Sequence, residues 1–219
     1  MAAAGNTFPP PPHPARQGDA APGAGHAAAM RLLPALLLAA LATAPASAQE
    51  FRCPPAGQAV ALSDGRTLLQ QGADPADPLL CLRQSTRRGD TPTQERLWLN
   101  ALPEGEPEQR AARRAAIAGL LPFRPGATAQ TAEPRPNGET RTTTFTVRDI
   151  GPKTLPAGSF TVVTLLEETS FPAGKIVALH GLDAATGTYL SFWGEFQMGG
   201  MHTRAIESQA TAVTPAAGR

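Results

Sequence analysis

The sequence predicts a mainly β fold, an antiparallel meander sheet with one packing helix. Turn residues recur at short, regular intervals from Gln58 to the C-terminus, and the segments between them are apolar or alternate apolar with polar residues. The turn Pro156-Ala157-Gly158 recurs as Pro172-Ala173-Gly174, and Pro followed by Gly is typical of turns between neighbouring strands. This spacing indicates a meander of strands and turns, not a domain repeat.

The N-terminal part of the fold is predicted to begin with a hairpin. Asp64-Gly65 lies between the apolar runs 59–62 and 66–69, and Asp-Gly at such a place favours a type I′ turn. Residues 72–78 contain two Asp-Pro pairs and are predicted to form a loop. A third strand is expected over residues 79–83, because this run is apolar up to Leu82.

Residues Arg96–Asn100 fit two structures. Leu97 and Leu99 alternate with polar neighbours, which favours a strand. A helix is the alternative, because Thr91-Pro92-Thr93-Gln94 resembles a capping box with Pro at the first helical position. The strand is the preferred prediction.

One helix is predicted over Pro107–Leu121. Pro107 suits a first helical turn, and Pro122 ends the helix. We expect its apolar stripe to pack on the sheet and its arginines to lie on a solvated face. The stripe consists of Ala112, Ala116, Ile117, Leu120 and Leu121, and the arginines are Arg110, Arg113 and Arg114.

The C-terminal part of the chain is predicted to be a β-meander. Phe145 and Val147 alternate with polar residues, whereas Ser159–Leu166 is apolar on both faces, as in a strand that is covered on both sides. The predicted strands are 127–133, 141–150, 159–166, 175–179, 188–196 and 202–208.

The N-terminus predicts export. Residues 30–48 have the features of a signal peptide: Arg31, an apolar run, and a small-x-small site that predicts cleavage between Ala48 and Gln49. The apolar run is too short for a membrane-spanning helix, so no permanent membrane anchor is expected. Residues 1–29 are low in complexity, and are interpreted as a disordered extension or as the product of a mis-called start ahead of Met30.

Cleavage would leave residues 49–219 as a single β-rich domain in the periplasm or outside the cell. This part carries 17 basic and 17 acidic residues, and the balance argues against a nucleic-acid partner. Its two cysteines, Cys53 and Cys81, are predicted to form a structural disulfide in an oxidising compartment. A redox-active dithiol is the alternative, but the chain has no Cys-x-x-Cys.

The turn residues carry a resemblance to a known group of proteins. Pro156-Ala157-Gly158-Ser159-Phe160 followed by the turn 183–187 resembles the hairpin pattern of uncharacterised bacterial exported β proteins. The resemblance covers about residues 120–210 and implies a strongly curved antiparallel sheet. Such a sheet is similar to the half-barrels that carry lipids between bacterial membranes. The shared motif is turn chemistry, so it implies a fold and no catalytic residues.

Candidate metal ligands are few. Met198, Met201 and His202 flank a Gly-Gly turn, and thioether and imidazole ligands suit copper(I). The alternative is a glycine hairpin whose methionines pack on the sheet. His180 could join His202 in a zinc site with Asp183 and Glu195 if the strands were neighbours.

A binding function is favoured over catalysis, and an enzyme of unrecognised type is a further alternative. No nucleophile elbow, phosphate loop or dinucleotide fingerprint is present, and Glu167 and Glu168 should point to opposite faces of a strand. No cofactor is expected. The strand 188–196 carries aromatic residues on both faces, which indicates core packing or a concave surface for an apolar small molecule or an envelope protein. These residues are Phe192 and Phe196 on one face, and Tyr189 and Trp193 on the other.

Overall fold

The computed structural model describes residues 50–135, 138–199, 201–203 and 205–217, which belong to one compact unit. The predicted signal peptide and its cleavage site lie outside these residues. The described part contains twelve strands and one α-helix, which a 3-10 turn precedes at Pro107–Gln109. They are β1 (Ala59–Leu62), β2 (Arg66–Asp74), β3 (Asp77–Arg87), β4 (Thr93–Trp98), β5 (Leu102–Pro103), α1 (Arg110–Ala118), β6 (Thr128–Pro134), β7 (Thr140–Leu155), β8 (Gly158–Phe171), β9 (Gly174–Asp183), β10 (Tyr189–Met198), β11 (Met201–His202) and β12 (Ile206–Thr214).

The strands form one antiparallel sheet. Its order is β5-β4-β3-β2-β1-β12-β10-β9-β8-β7-β6, and β11 pairs with β10 alone. The chain therefore runs outward from β1 to one edge at β5, crosses through α1 to the other edge at β6, and returns to β1 through β12. The predicted fold class, a mainly β meander with one packing helix, is confirmed.

Contacts across the concave side show that the sheet is strongly curved. The guanidinium of Arg83 in β3 lies 4.8 Å from the ring centroid of Tyr189 in β10, although three strands separate them in the sheet. Helix α1 lies on this concave side, where Arg114 pairs with Asp77 of β3 and Arg113 pairs with Glu133 of β6. The helix thus connects β3 and β6, which lie on opposite sides of the half-barrel.

The hydrophobic core lies between the concave face, α1 and the turn between β4 and β5. Burial of apolar side chains from all three is the main force that holds the curved sheet on its helix. Fully buried side chains in this core include Leu68, Trp98, Leu99, Leu102, Ile117, Leu120, Phe145, Leu165 and Leu182.

The first hairpin is confirmed, but its turn type differs from the prediction. Three residues connect β1 and β2, and among them only Gly65 has a positive φ, at 83°. A type I′ turn needs positive φ at both central residues, so this connection is instead a three-residue loop with glycine at the left-handed position.

The predicted loop over residues 72–78 is a tight turn. Strand β2 continues to Asp74 and β3 begins at Asp77, because both aspartates accept hydrogen bonds from the backbone two residues ahead. The distances are 2.8 Å from Ala76 N to Asp74 Oδ1 and 3.1 Å from Leu79 N to Asp77 Oδ1. The Asp-Pro pairs that suggest a loop therefore form the tight turn of a hairpin.

The region around residues 96–100 is a strand as far as Trp98, so the helix alternative is wrong. Leu99 and Asn100 then turn the chain into β5 with φ angles of 51° and 59°. The Asn100 amide donates to Gly187 O at 3.1 Å, which offsets the cost of this unusual backbone.

Other differences concern the ends of elements. The α-helix is shorter than predicted and ends at Ala118. The last predicted strand divides into β11 and β12, and β12 continues to Thr214 because it pairs with β1. Strand β8 is covered on both faces, as predicted, with residues 162–165 all buried.

A disulfide fastens the segment before β1 to the sheet. Cys53 and Cys81 are bonded, and their Cα atoms are 5.4 Å apart. The predicted pairing is confirmed, and Cys81 lies in the core. In the described residues, the only α-helix is too short and too polar to cross a membrane.

Candidate functional site

The side chains on the concave face change from buried and polar on β6 to exposed and apolar on β10. Directly paired residues point to the same face of a sheet, and one such row runs across β6 to β10. It contains Thr131, Thr143, Thr169, Ile176 and Phe196. Thr143 is 1% exposed and Phe196 is 39% exposed, because α1 covers the first strands and not the last.

Two regions of this face can therefore be defined. The covered half consists of the concave-face residues of β6, β7 and β8 that lie beneath α1. The open half lies on β9 to β12, beyond the helix. Its apolar side chains are Ile176, Phe196, Met198, Met201 and Ile206.

An arginine from the helix holds the covered half together. The guanidinium of Arg113 donates to Glu133 Oε1 at 3.2 Å and to Glu167 Oε1 at 3.1 Å, and it stacks on the ring of Phe145 at 5.0 Å. Arg113 is 4% exposed, so its predicted position on a solvated face is wrong. The two carboxylates accept hydrogen bonds from Nη1 and Nη2 of the buried guanidinium, whereas Nε is buried without a hydrogen-bond partner.

Glu167 extends this network to a histidine. Its Oε2 lies 3.2 Å from His180 Nε2. Burial by itself would raise the pKa of Glu167, and the hydrogen bond and charge interaction with His180 oppose it. Together with the charge and hydrogen bond of Arg113, these interactions outweigh burial and hold the pKa of Glu167 below its usual value. Glu168 points to the other face and pairs with Lys175, so the two glutamates lie on opposite faces of the strand, as predicted.

A β-bulge changes the predicted arrangement of aromatic residues on β10. The pairing with β9 shifts between Tyr189 and Ser191, which brings Tyr189 onto the concave face with Phe192. The ring of His180 lies 6.3 Å from that of Tyr189 and 5.5 Å from that of Phe192. The prediction that Tyr189 shares a face with Trp193 is therefore wrong. Burial raises the pKa of Tyr189 to about 12.

Two clefts border the open half, one at each end. One, of about 510 Å³, has Phe171, Pro172 and Ile176 as its apolar wall and Arg135 and Arg141 at its rim. The second, of about 480 Å³, lies at the other end and is bounded by Phe192, Ile206 and charged residues of β2 and β3. Phe196 lies between them, since it pairs with Ile176 and is two residues from Gly194, which pairs with Ile206. These apolar and cationic groups can bind a ligand without any bond-making chemistry.

The two predicted methionine ligands lie side by side. Met198 pairs with Met201 across the β10–β11 turn, and their exposed fractions are 46% and 73%. His202 pairs with Gln197 along the backbone, and its side chain lies outside the described part of the structure. His180 is on β9, which β10 separates from β11, so the two histidine strands are not neighbours. Within the described residues, no three His, Cys, Asp or Glu side chains are grouped to hold a metal.

Sequence reasoning found part of the open half but missed the larger cleft beside it. Phe192, Phe196, Met198 and Met201 are predicted candidates, but the wall and rim residues of the larger cleft are not. Arg141 offers the one available signal, because it begins a strand face that continues with Thr143 and Phe145. A cation at the end of an otherwise buried strand face is a reason to expect a binding site beside it.

Comparisons with known proteins identify no relative of this chain. No protein-family model matches the chain, and no curated protein or solved structure is significantly similar to it. The candidate site therefore rests on the residues and their geometry.

Proposed function

We propose that this chain is an exported, non-enzymatic binding protein whose open half receives an apolar small molecule. The observation that carries the proposal is the row of exposed apolar side chains beside a cleft of about 510 Å³. Exposed apolar patches on a folded domain mark places where a ligand or partner binds.

Several features support export. The signal-peptide pattern before Gln49 directs a chain out of the cytoplasm. The disulfide between Cys53 and Cys81 favours an oxidising compartment such as the periplasm or the cell exterior. The resemblance of the Pro-Ala-Gly-Ser-Phe hairpin to exported bacterial β proteins supports the same location.

The covered half supplies the rigidity that a binding site needs. Arg113 is fixed by two carboxylates and an aromatic ring, so α1 is held firmly on β6, β7 and β8. Strands β9 and β10 extend from this fixed part and present Ile176 and Phe196 to solvent. A preformed apolar surface binds a ligand without the entropic cost of ordering it first.

Binding of a neutral apolar dye tests the proposal. Nile red titrated into the purified protein should gain fluorescence, and Phe196→Asp should abolish the gain by placing a charge on the apolar row. Leu69→Asp is the matched control, because Leu69 is also 39% exposed but points away from the concave face, where its neighbour Leu68 is buried. Equal loss in both variants, or no binding by the native protein, contradicts the proposed site.

Copper(I) binding is a second candidate, favoured by the pairing of Met198 with Met201. Two adjacent thioethers on an exposed hairpin are suitable soft ligands. Met201→Leu keeps the apolar surface and removes the sulfur, so it should weaken copper(I) binding and leave Nile red binding intact. Unchanged copper(I) affinity and stoichiometry in that variant, or in Met201→Ala, would exclude this hairpin as the metal site.

A further inference from the structure

We infer that the ligand of the open half is a single-chain amphiphile with an anionic head, which lies against Arg135 and Arg141. The inference rests on the proposed binding function and adds the chemical class and orientation of the ligand. The juxtaposition that carries it is a cationic rim at one end of an apolar groove.

Arg135 and Arg141 make one end of the groove cationic. Arg141 donates to Glu133 from Nε at 2.8 Å and from Nη2, which leaves Nη1 directed elsewhere. Glu133 is already shared with Arg113. Among the described residues, Arg135 forms no ion pair with a carboxylate, and Glu139 is the one carboxylate that lines this cleft. An anionic head would therefore find charge-assisted donors here.

The other end of the groove offers no comparable excess of positive charge. Arg66 forms an ion pair with Asp64, and Glu95 forms one with Arg83. The remaining charges in that cleft, Arg87 and Asp90, belong to one turn and have opposite signs. An anionic head should consequently bind at the Arg135 end, with its tail running across Phe196 toward Ile206.

The width of the sheet sets the length of the tail. Arg141 on β7 and Ile206 on β12 are four strand spacings apart across the sheet and four residues apart along it, a path of about 23 Å at roughly 4.8 Å per spacing and roughly 3.3 Å per residue. The apolar side chains between them are Phe171, Ile176 and Phe196. An extended laurate chain would cover the part of this path between the arginines and Phe196, so laurate is a suitable probe.

Titration calorimetry with laurate, dodecyl phosphate and dodecanol tests the inference. The native protein should bind the two anions about tenfold more tightly than the neutral alcohol. Arg135→Gln should remove this preference and leave dodecanol affinity unchanged. Arg124→Gln is the matched control, because Arg124 is exposed and lies outside both clefts. Arg141→Lys keeps the charge beside Glu133 and should lower laurate affinity less than Arg135→Gln.

The outcomes separate this inference from the function on which it depends. Equal affinity for laurate and dodecanol, with no effect of Arg135→Gln, would overturn the anionic head while leaving an apolar groove. If the native protein binds none of laurate, dodecyl phosphate and dodecanol, and Phe196→Asp does not change Nile red binding, the groove itself is overturned. Binding to anionic phosphatidylglycerol vesicles but not to monomeric laurate or dodecyl phosphate would identify a membrane surface as the partner and contradict the inference.

Discussion

The two halves of the concave face reverse the usual distribution of side chains. The covered half is buried yet rich in polar groups, among them Thr143, Glu133 and Glu167, whereas the open half is exposed yet apolar at Phe196 and Ile206. The difference is explained by what each half contacts. The polar half receives the guanidinium of Arg113 from α1, and the apolar half has no counterpart within the described chain. The covered half is thus packed against α1, while no described part of the chain packs against the open half.

The largest expected effect is in the covered half. Arg113→Ala should destabilise the protein by about 3–5 kcal/mol, because it removes the buried cation that Glu133 and Glu167 share and leaves each of them with one partner, Arg141 or His180. Urea unfolding measures the change in the free energy of unfolding.

The control for Arg113 lies three residues earlier on the same helix. Arg110 pairs with Glu104 but is 46% exposed, so Arg110→Ala should cost no more than about 1 kcal/mol. If both arginine variants have the same stability, the two carboxylates do not depend on Arg113.

A second prediction concerns acid stability. The folded protein holds the pKa of Glu167 below its usual value, so the ionised carboxylate stabilises the fold above the unfolded pKa of about 4.3. This stabilisation is lost as the pH falls through the lower, folded pKa. Glu167→Gln should be less stable at neutral pH, and its stability should fall less on acidification. If the free energies of unfolding of the native protein and of Glu167→Gln change in parallel with pH, Glu167 does not have this role.

A third prediction uses the single tyrosine of the chain. Burial raises the pKa of Tyr189 to about 12, so the neutral phenol contributes stability below the unfolded pKa of about 10. That contribution is lost as the pH rises from about 10 through 12. Ultraviolet absorbance should show tyrosinate forming with a midpoint at about 12, and not at about 10, while the protein is folded. Ionisation near pH 10 with the fold intact would mean that Tyr189 is solvated.

The smallest expected effect on stability is in the open half. Phe196→Ala removes a side chain that is 39% exposed and has no covering element, so it should cost far less than truncation of a buried core phenylalanine, which costs about 3–5 kcal/mol. Phe145→Ala, in the covered half, is the matched comparison because Phe145 is 1% exposed. Equal losses of stability, measured by urea unfolding, would mean that the open half is packed as tightly as the covered half.

The sequence predicts the strands well and the site poorly, for one physical reason. Turn residues such as Asp64-Gly65 and Pro156-Ala157-Gly158 act locally, so hairpins can be predicted from short segments. The partners of Arg113 are 20 and 54 residues away along the chain. Nothing near Arg113 indicates them, and an arginine is expected at the surface unless its partners are known.

Tyr189 illustrates a second limit. Simple alternation assigns it to the face of Trp193, but the bulge between Tyr189 and Ser191 shifts the register and turns Tyr189 toward His180. One extra residue in a strand moves a side chain to the opposite face. No local pattern in this segment marks the bulge.

Amide NMR spectra recorded during a laurate titration would test the central claim most directly. The account predicts chemical-shift changes at Ile176, Phe196 and Ile206, with little change at Thr131 and Phe145 beneath α1. Changes confined to the covered half or to the convex face, or no change at saturating laurate, would contradict the assignment of the open half as a binding site.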